Sequence, residues 1–282
     1  MSLVTVDCQT SASREVNEDR AGTVNDLAWV IDGATDVVET PLTRALSDAD
    51  WIAGRLDAAL RDIGASVPAD LSGLPSITAN RLAADFAREA IRQPTGKSEH
   101  PSASALIVRP CRNGLDYVAV GDCSMLAISQ SGFVRAGVEA DAAGDRQLAA
   151  VLSALHNKHG GLDAVAARAH VWPSIRAARA AMNEPTGYGV FSLTPTPTRF
   201  VRTGQVVMQE GGHVLLATDG LMRLVDVFGC YSARDLLCAA VSHGLEALLR
   251  ELRGIETSDA DGHRYPRAKV YDDATGLLLR WI

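Results

Sequence analysis

Aromatic residues are scarce in this chain of 282 residues, at 5%. Trp29, Trp51, Trp172 and Trp281 are too scattered to form a base-stacking platform. Basic charge is not in excess either. The formal net charge of −7 leaves no electrostatic footprint for nucleic acid and no attraction to an anionic membrane surface. The cysteines, Cys8, Cys111, Cys123, Cys230 and Cys238, number five and form no Cys-x-x-Cys pair. That excludes a regular disulfide framework and a zinc ribbon, and points to free thiols in a reducing cytoplasm. No apolar run is long enough to span a bilayer. Residues 1–7 carry neither a basic segment nor a long apolar one, so no signal peptide is expected. Thr95-Gly96-Lys97-Ser98 ends like a phosphate-binding loop, but Ile91 stands where the first glycine of that loop is needed.

What is present is ordinary globular composition, 47% apolar, enough to bury a sizeable core. Apolar patterning predicts strands over 3–8, 20–24 and 27–31, with Asn25-Asp26 as a turn. Further strands are expected over 104–108, 116–120, 125–129, 190–193, 198–201, 213–217 and within 269–281. Pro41, capped by Thr40, predicts a helix running to about residue 63, and a second helix is expected over 76–92. The Ala- and Arg-rich stretch 140–182 reads as helical, cut into two or three pieces by Pro173. Helices are also expected over 221–227 and 233–252, followed by a polar loop over 254–267. Strands and helices fall in groups, which favours an α+β fold over a doubly wound parallel sheet. One domain over 1–282 is expected, with 140–182 as a helical insertion or flap.

Three carboxylate motifs abut strand-like apolar runs: Asp32-Gly33, Asp219-Gly220 and Asp272-Asp273. An Asp-Gly pair is first a turn dipeptide. Here, however, helix-like rather than strand-like sequence follows both Asp-Gly pairs, and sites commonly open at such exits. A carboxylate at the end of a buried strand is costly unless cations or hydrogen-bond donors meet it. Three of them suggest one shared site for a hard divalent cation with oxygen ligands. His156-x-x-His159 lacks a third ligand and reads as a solvated helix face. The same reading holds for Arg168, Arg176 and Arg179, with an acidic-phosphopeptide surface as the alternative.

Together, Arg14-x-x-x-Glu18-Asp19, Asp32-Gly33, Gly121-Asp122, Asp219-Gly220 and Asp272-Asp273-x-Thr275 resemble, in order, the motifs of the type 2C metal-dependent serine/threonine protein phosphatases. The resemblance implies a four-layer αββα sandwich: two packed antiparallel sheets flanked by helices. It implies two divalent metal ions, Mn²⁺ or Mg²⁺. Asp32 would bridge them, Asp219 and Asp272 would complete the first, and the carbonyl of Gly33 would ligate the second. Glu18 and Asp19 would hold metal-bound waters, and Arg14 would bind the substrate phosphate. A water activated by the two ions would hydrolyse phosphoserine and phosphothreonine proteins.

The chain departs from the family pattern in two places. Ala34 follows the first Asp-Gly, where some members carry a histidine, so Asp36 is a candidate proton donor. Arg223 stands four residues after Asp219, where members with a third metal carry an acid. Asp122 would then be auxiliary, and Arg223 is expected to pair with Asp122 or to reach substrate. Two alternatives stay open: a catalytically inactive phosphatase-like binding module, and a phosphatase for a small phosphorylated metabolite.

Overall fold

The computed structural model describes residues 2–38, 40–64, 70–137, 164–267 and 269–282. Two antiparallel sheets pack face to face, with helices on both outer faces, giving the expected αββα sandwich. The strands are β1 (Leu3–Ser11), β2 (Asp19–Val24), β3 (Leu27–Gly33), β4 (Ser102–Cys111), β5 (Gly114–Val120), β6 (Ser124–Ser129), β7 (Gly132–Ala136), β8 (Phe191–Ser192), β9 (Arg202–Val207), β10 (His213–Ala217) and β11 (Ala274–Trp281). One sheet runs β1-β11-β10-β6-β7 and the other β2-β3-β4-β5-β9, with β8 paired to β4.

The near-continuous apolar runs are explained by strands buried on both faces. Ala28 and Val30 of β3 point into the layer between the sheets, beside Val214 and Leu216 of β10 and Leu277 and Leu279 of β11. Leu27, Trp29 and Ile31 point the other way, against Ile52, Leu56 and Leu60 of helix α1 (Asp48–Ile63) and Leu82 and Phe86 of α2 (Leu74–Glu89). On the far side, Leu215, Ala217 and Leu278 pack against α4 (Asp219–Asp226), α5 (Ala233–His243) and α6 (Leu245–Ser258). Helix α3 (Ala164–Ala180) precedes β8. Among the described residues no helix is long and apolar enough to cross a membrane.

Several expectations are corrected. Pro41 does not open a helix: α1 starts at Asp48 with Ser47 as its cap. The Asp48 carboxylate takes the amides of Leu42 and Thr43 and the Thr43 hydroxyl at 2.7–3.0 Å, closing residues 42–48 into a turn. Pro173 does not cut α3, which continues through it. The proline is exposed, where water can satisfy the carbonyl that its missing N–H leaves open. The helix expected over 233–252 is two helices broken at Gly244, and the second runs on through Gly254 to Ser258. Residues 198–200 form a 3-10 turn, with the strand starting at Arg202, and β7 is an unanticipated edge strand. His156 and His159 lie outside the described residues, as does the first part of the expected flap.

Candidate metal and phosphate site

Antiparallel pairing brings the motifs to one end of the sandwich. The end of β3 meets the start of β2, where Asp32 sits opposite Asp19, and the start of β4, where it sits opposite Ser104. In the other sheet the end of β10 meets the starts of β11 and β6, with Ala217 opposite both Gly276 and Ser124. Asp219, Asp272 and Asp122 therefore emerge together, just beyond these strand ends.

The acids are close enough to perturb one another. Burial pushes Asp32 well above the ordinary carboxylate range, and Asp219, Asp19 and Asp122 push it further. Asp19 is raised by burial, against the Thr218 and Thr275 hydrogen bonds that favour its charge. Asp219 rises to about 6, through burial and then through Asp272 and Asp122, and it is hydrogen-bonded to Asp32. Asp272 differs. Burial raises it, but the neighbouring charges of Lys269 and Arg223 outweigh burial and hold it low.

Each carboxylate has a distinct set of partners. The Oδ2 of Asp19 accepts from the Thr218 hydroxyl at 2.8 Å, which ties the two sheets together. Its Oδ1 is buried without a hydrogen-bond partner. The Oε2 of Glu18 accepts from the Thr35 hydroxyl at 2.8 Å. Arg14 lies at the mouth, exposed, with its guanidinium 3.6 Å from Glu18 and 3.3 Å from the Thr35 hydroxyl. The Gly33 amide donates to the Glu18 carbonyl at 3.0 Å. A side chain on Gly33 would lie 2.6 Å from the Glu18 and Ala49 carbonyls, so the close backbone approach requires glycine. The oxygens of Asp36 accept the Asp48 and Ala49 amides at 2.8 and 3.2 Å, which is cap geometry for α1. Its pKa is raised to about 6, chiefly by burial.

Arg223 forms ion pairs with acids other than Asp122. Its guanidinium arms are taken by Glu256 at 3.0 Å and by Asp272 at 2.7 Å, and Glu256 is fully buried. The other Asp272 oxygen accepts from the Lys269 ammonium at 2.8 Å, and that ammonium also donates to the Thr35 hydroxyl at 3.0 Å. Arg179 is likewise not on a solvated face. It is 8% exposed and donates to the Ser102 hydroxyl and the Thr35 carbonyl, both at 2.6 Å. Arg176 is exposed.

Sequence reasoning gave Thr35, Arg179, Lys269 and Asp273 no individual role within the site. The Asp273 oxygens accept the Ser13 and Glu18 amides at 2.6 Å each, locking the 13–18 loop over the site. Its place directly after Asp272 was the available signal, and it is buried, 6% exposed.

The donor set fits a divalent cation on one side of the site. Asp32 and Asp219 press together, and the orphaned Asp19 oxygen lies buried beside them. At Asp272 the fit fails, because both oxygens already hold protein cations. Among the described residues no group of three His, Cys, Asp or Glu side chains is arranged to hold a metal ion as it stands.

No protein-family profile matches the chain. No curated protein matches it by sequence. Solved structures do match. The Mycobacterium tuberculosis serine/threonine phosphatase PstP/Ppp superposes with a TM-score of 0.57 at 14% identity, covering 99% of both chains. The PstP catalytic domain in complex with two manganese ions gives 0.53 at 16%, covering 99% of this chain and 97% of that one. PppA, described as a key regulatory component of T6SS in Pseudomonas aeruginosa, gives 0.52 at 13%, covering 99% and 98%. The chain thus shares the fold of these proteins over nearly its whole length.

Proposed function

We propose that this chain is a metal-dependent phosphomonoester hydrolase acting on phosphoserine and phosphothreonine in proteins. The carrying observation is the convergence of buried Asp19 with half-buried Asp32 and Asp219, mutually repelling, at the strand ends beneath an exposed arginine. Such a cluster is costly without a cation to offset it. Bound Mn²⁺ or Mg²⁺ supplies Lewis acidity and water activation for phosphate ester hydrolysis. Asp32, Asp219 and the Gly33 carbonyl would hold such an ion, and Glu18 and Asp19 would orient water at the site. Arg14 supplies paired donors and fixed charge to the phosphate oxygens. Thr35 fixes Arg14 and Glu18 relative to each other through its hydroxyl. Asp36, held by two amides, positions the start of α1; its raised pKa keeps it a candidate proton donor. Support for a protein substrate comes from the solved neighbours, which are described as serine/threonine phosphatases. Five unpaired thiols support a cytoplasmic setting.

One observation favours a second reading, an inactive phosphatase-like module: the two ion pairs that engage Asp272. Hydrolysis of a generic aryl phosphate separates the two. Turnover is expected with Mn²⁺, to vanish in chelator, and to fall about 10²-fold or more in Asp219→Asn. Equal turnover by both proteins, or none by either, defeats the hydrolase reading.

A further inference from the structure

The acid cluster contains a cation of its own. The Lys269 ammonium lies 2.8 Å from Asp272 Oδ1 and 3.0 Å from the Thr35 hydroxyl, with its side chain about one-third exposed. Asp272, Asp219 and Asp32 all lie within electrostatic reach of this ammonium. These are the three carboxylates that the family resemblance assigns to a single metal ion. The remaining oxygen of Asp272 is closed off by Arg223, whose other arm is held by buried Glu256, itself also bonded by Arg253. Arg253 further donates to the Asp272 carbonyl at 2.7 Å. This corner is a built ion-pair network, with every carboxylate oxygen of Asp272 and Glu256 satisfied from within the chain.

Among the described residues, the other side of the cluster has no such cation. Asp19 Oδ1 is buried and unpartnered, while Asp32 and Asp219 lie against each other. The two halves of the site therefore differ in what they lack. One is neutralised by protein side chains, and the other is left short of positive charge.

We propose that the Lys269 ammonium, buttressed by Arg223, takes the place of one of the two divalent ions, so that the chain binds a single divalent ion on the Asp19–Asp32 side. A dication seated on Asp272 would have to displace an ammonium already in hydrogen-bond contact and repel a guanidinium at the neighbouring oxygen. The fixed charge cannot dissociate, so half of the site keeps its electrostatic balance at any metal concentration. This proposal rests on the hydrolase reading above for the identity of the ion.

Calorimetric titration of the metal-stripped full chain with MnCl₂ tests it, with melting temperature as a second readout. The wild type is expected to take one ion per chain. Lys269→Ala, and Lys269→Met as a bulk-preserving variant, are expected to take two. Both variants are expected to melt lower than wild type in chelator and to gain more on adding Mn²⁺. Two ions in the wild type overturn the proposal and leave the hydrolase reading standing. One ion in the wild type and still one in both variants also overturns it. No binding by any of the three proteins sinks the hydrolase reading, and this proposal with it.

Discussion

Asp273 shows how a single side chain sets the site without touching substrate. It bonds the Ser13 and Glu18 amides, and so fixes the loop that carries Arg14 and Glu18. Asp273→Ala leaves two amides without their acceptor, at about 1–3 kcal/mol for each unsatisfied group. Urea denaturation is expected to show a loss in that range or above, and an unchanged midpoint would contradict the role. Arg14 is exposed, so its removal is expected to spare stability. Arg14→Ala should lower kcat/KM by about tenfold or more, as for a hydrogen bond to a charged group, with no change in melting temperature. Asp36 and Asp219 add a pH dependence. Both are raised from 3.8 to about 6. Between those values the folded chain keeps protons that the unfolded chain has released. Their contribution is thus fully present below about pH 4 and is lost as the pH rises through about 6. Asp272, shifted down, acts oppositely, but only below its ordinary range. In chelator the melting temperature is expected to fall from pH 4.5 to 6.5, and to fall less steeply in Asp219→Asn.

At the scale of elements, the strands were more legible than the helix ends. Leu27 to Ile31 is apolar at every position because both faces of β3 are covered, and that pattern is readable without coordinates. The start of α1 was not, because it depends on Asp48 and Asp36 folding back onto amides several residues away. The break between α5 and α6 had a signal in Gly244, which adopts φ 80° and ψ 161°, a region reserved for glycine. A methyl group there would meet only Asp7 Oδ2, at 3.5 Å, so the cost of Gly244→Ala is conformational. It is expected to destabilise the chain by about 1–3 kcal/mol in chemical denaturation. Helix α3 was expected to be broken at Pro173 and is continuous. It delivers Arg179 to the loop after Asp32, a use that the spacing of arginines could not reveal.

Across the whole molecule, the site joins two sheets. Thr218 reaches Asp19 from one sheet to the other, and Asp273 holds Glu18 in the same sense. A bound cation at this junction favours the folded state by mass action, about 2.7 kcal/mol at a hundredfold excess over Kd. Convergence of the three carboxylate motifs was legible, because each is a local pattern at a strand end. The role of Lys269 was not, since nothing local distinguishes a lysine in a polar loop from one inserted among acids. The most direct measurement is anomalous diffraction from crystals grown with Mn²⁺. A manganese peak is expected between the carboxylates of Asp32 and Asp219. Full density for both side chains, still bonded to each other with no peak beside them, would contradict the account.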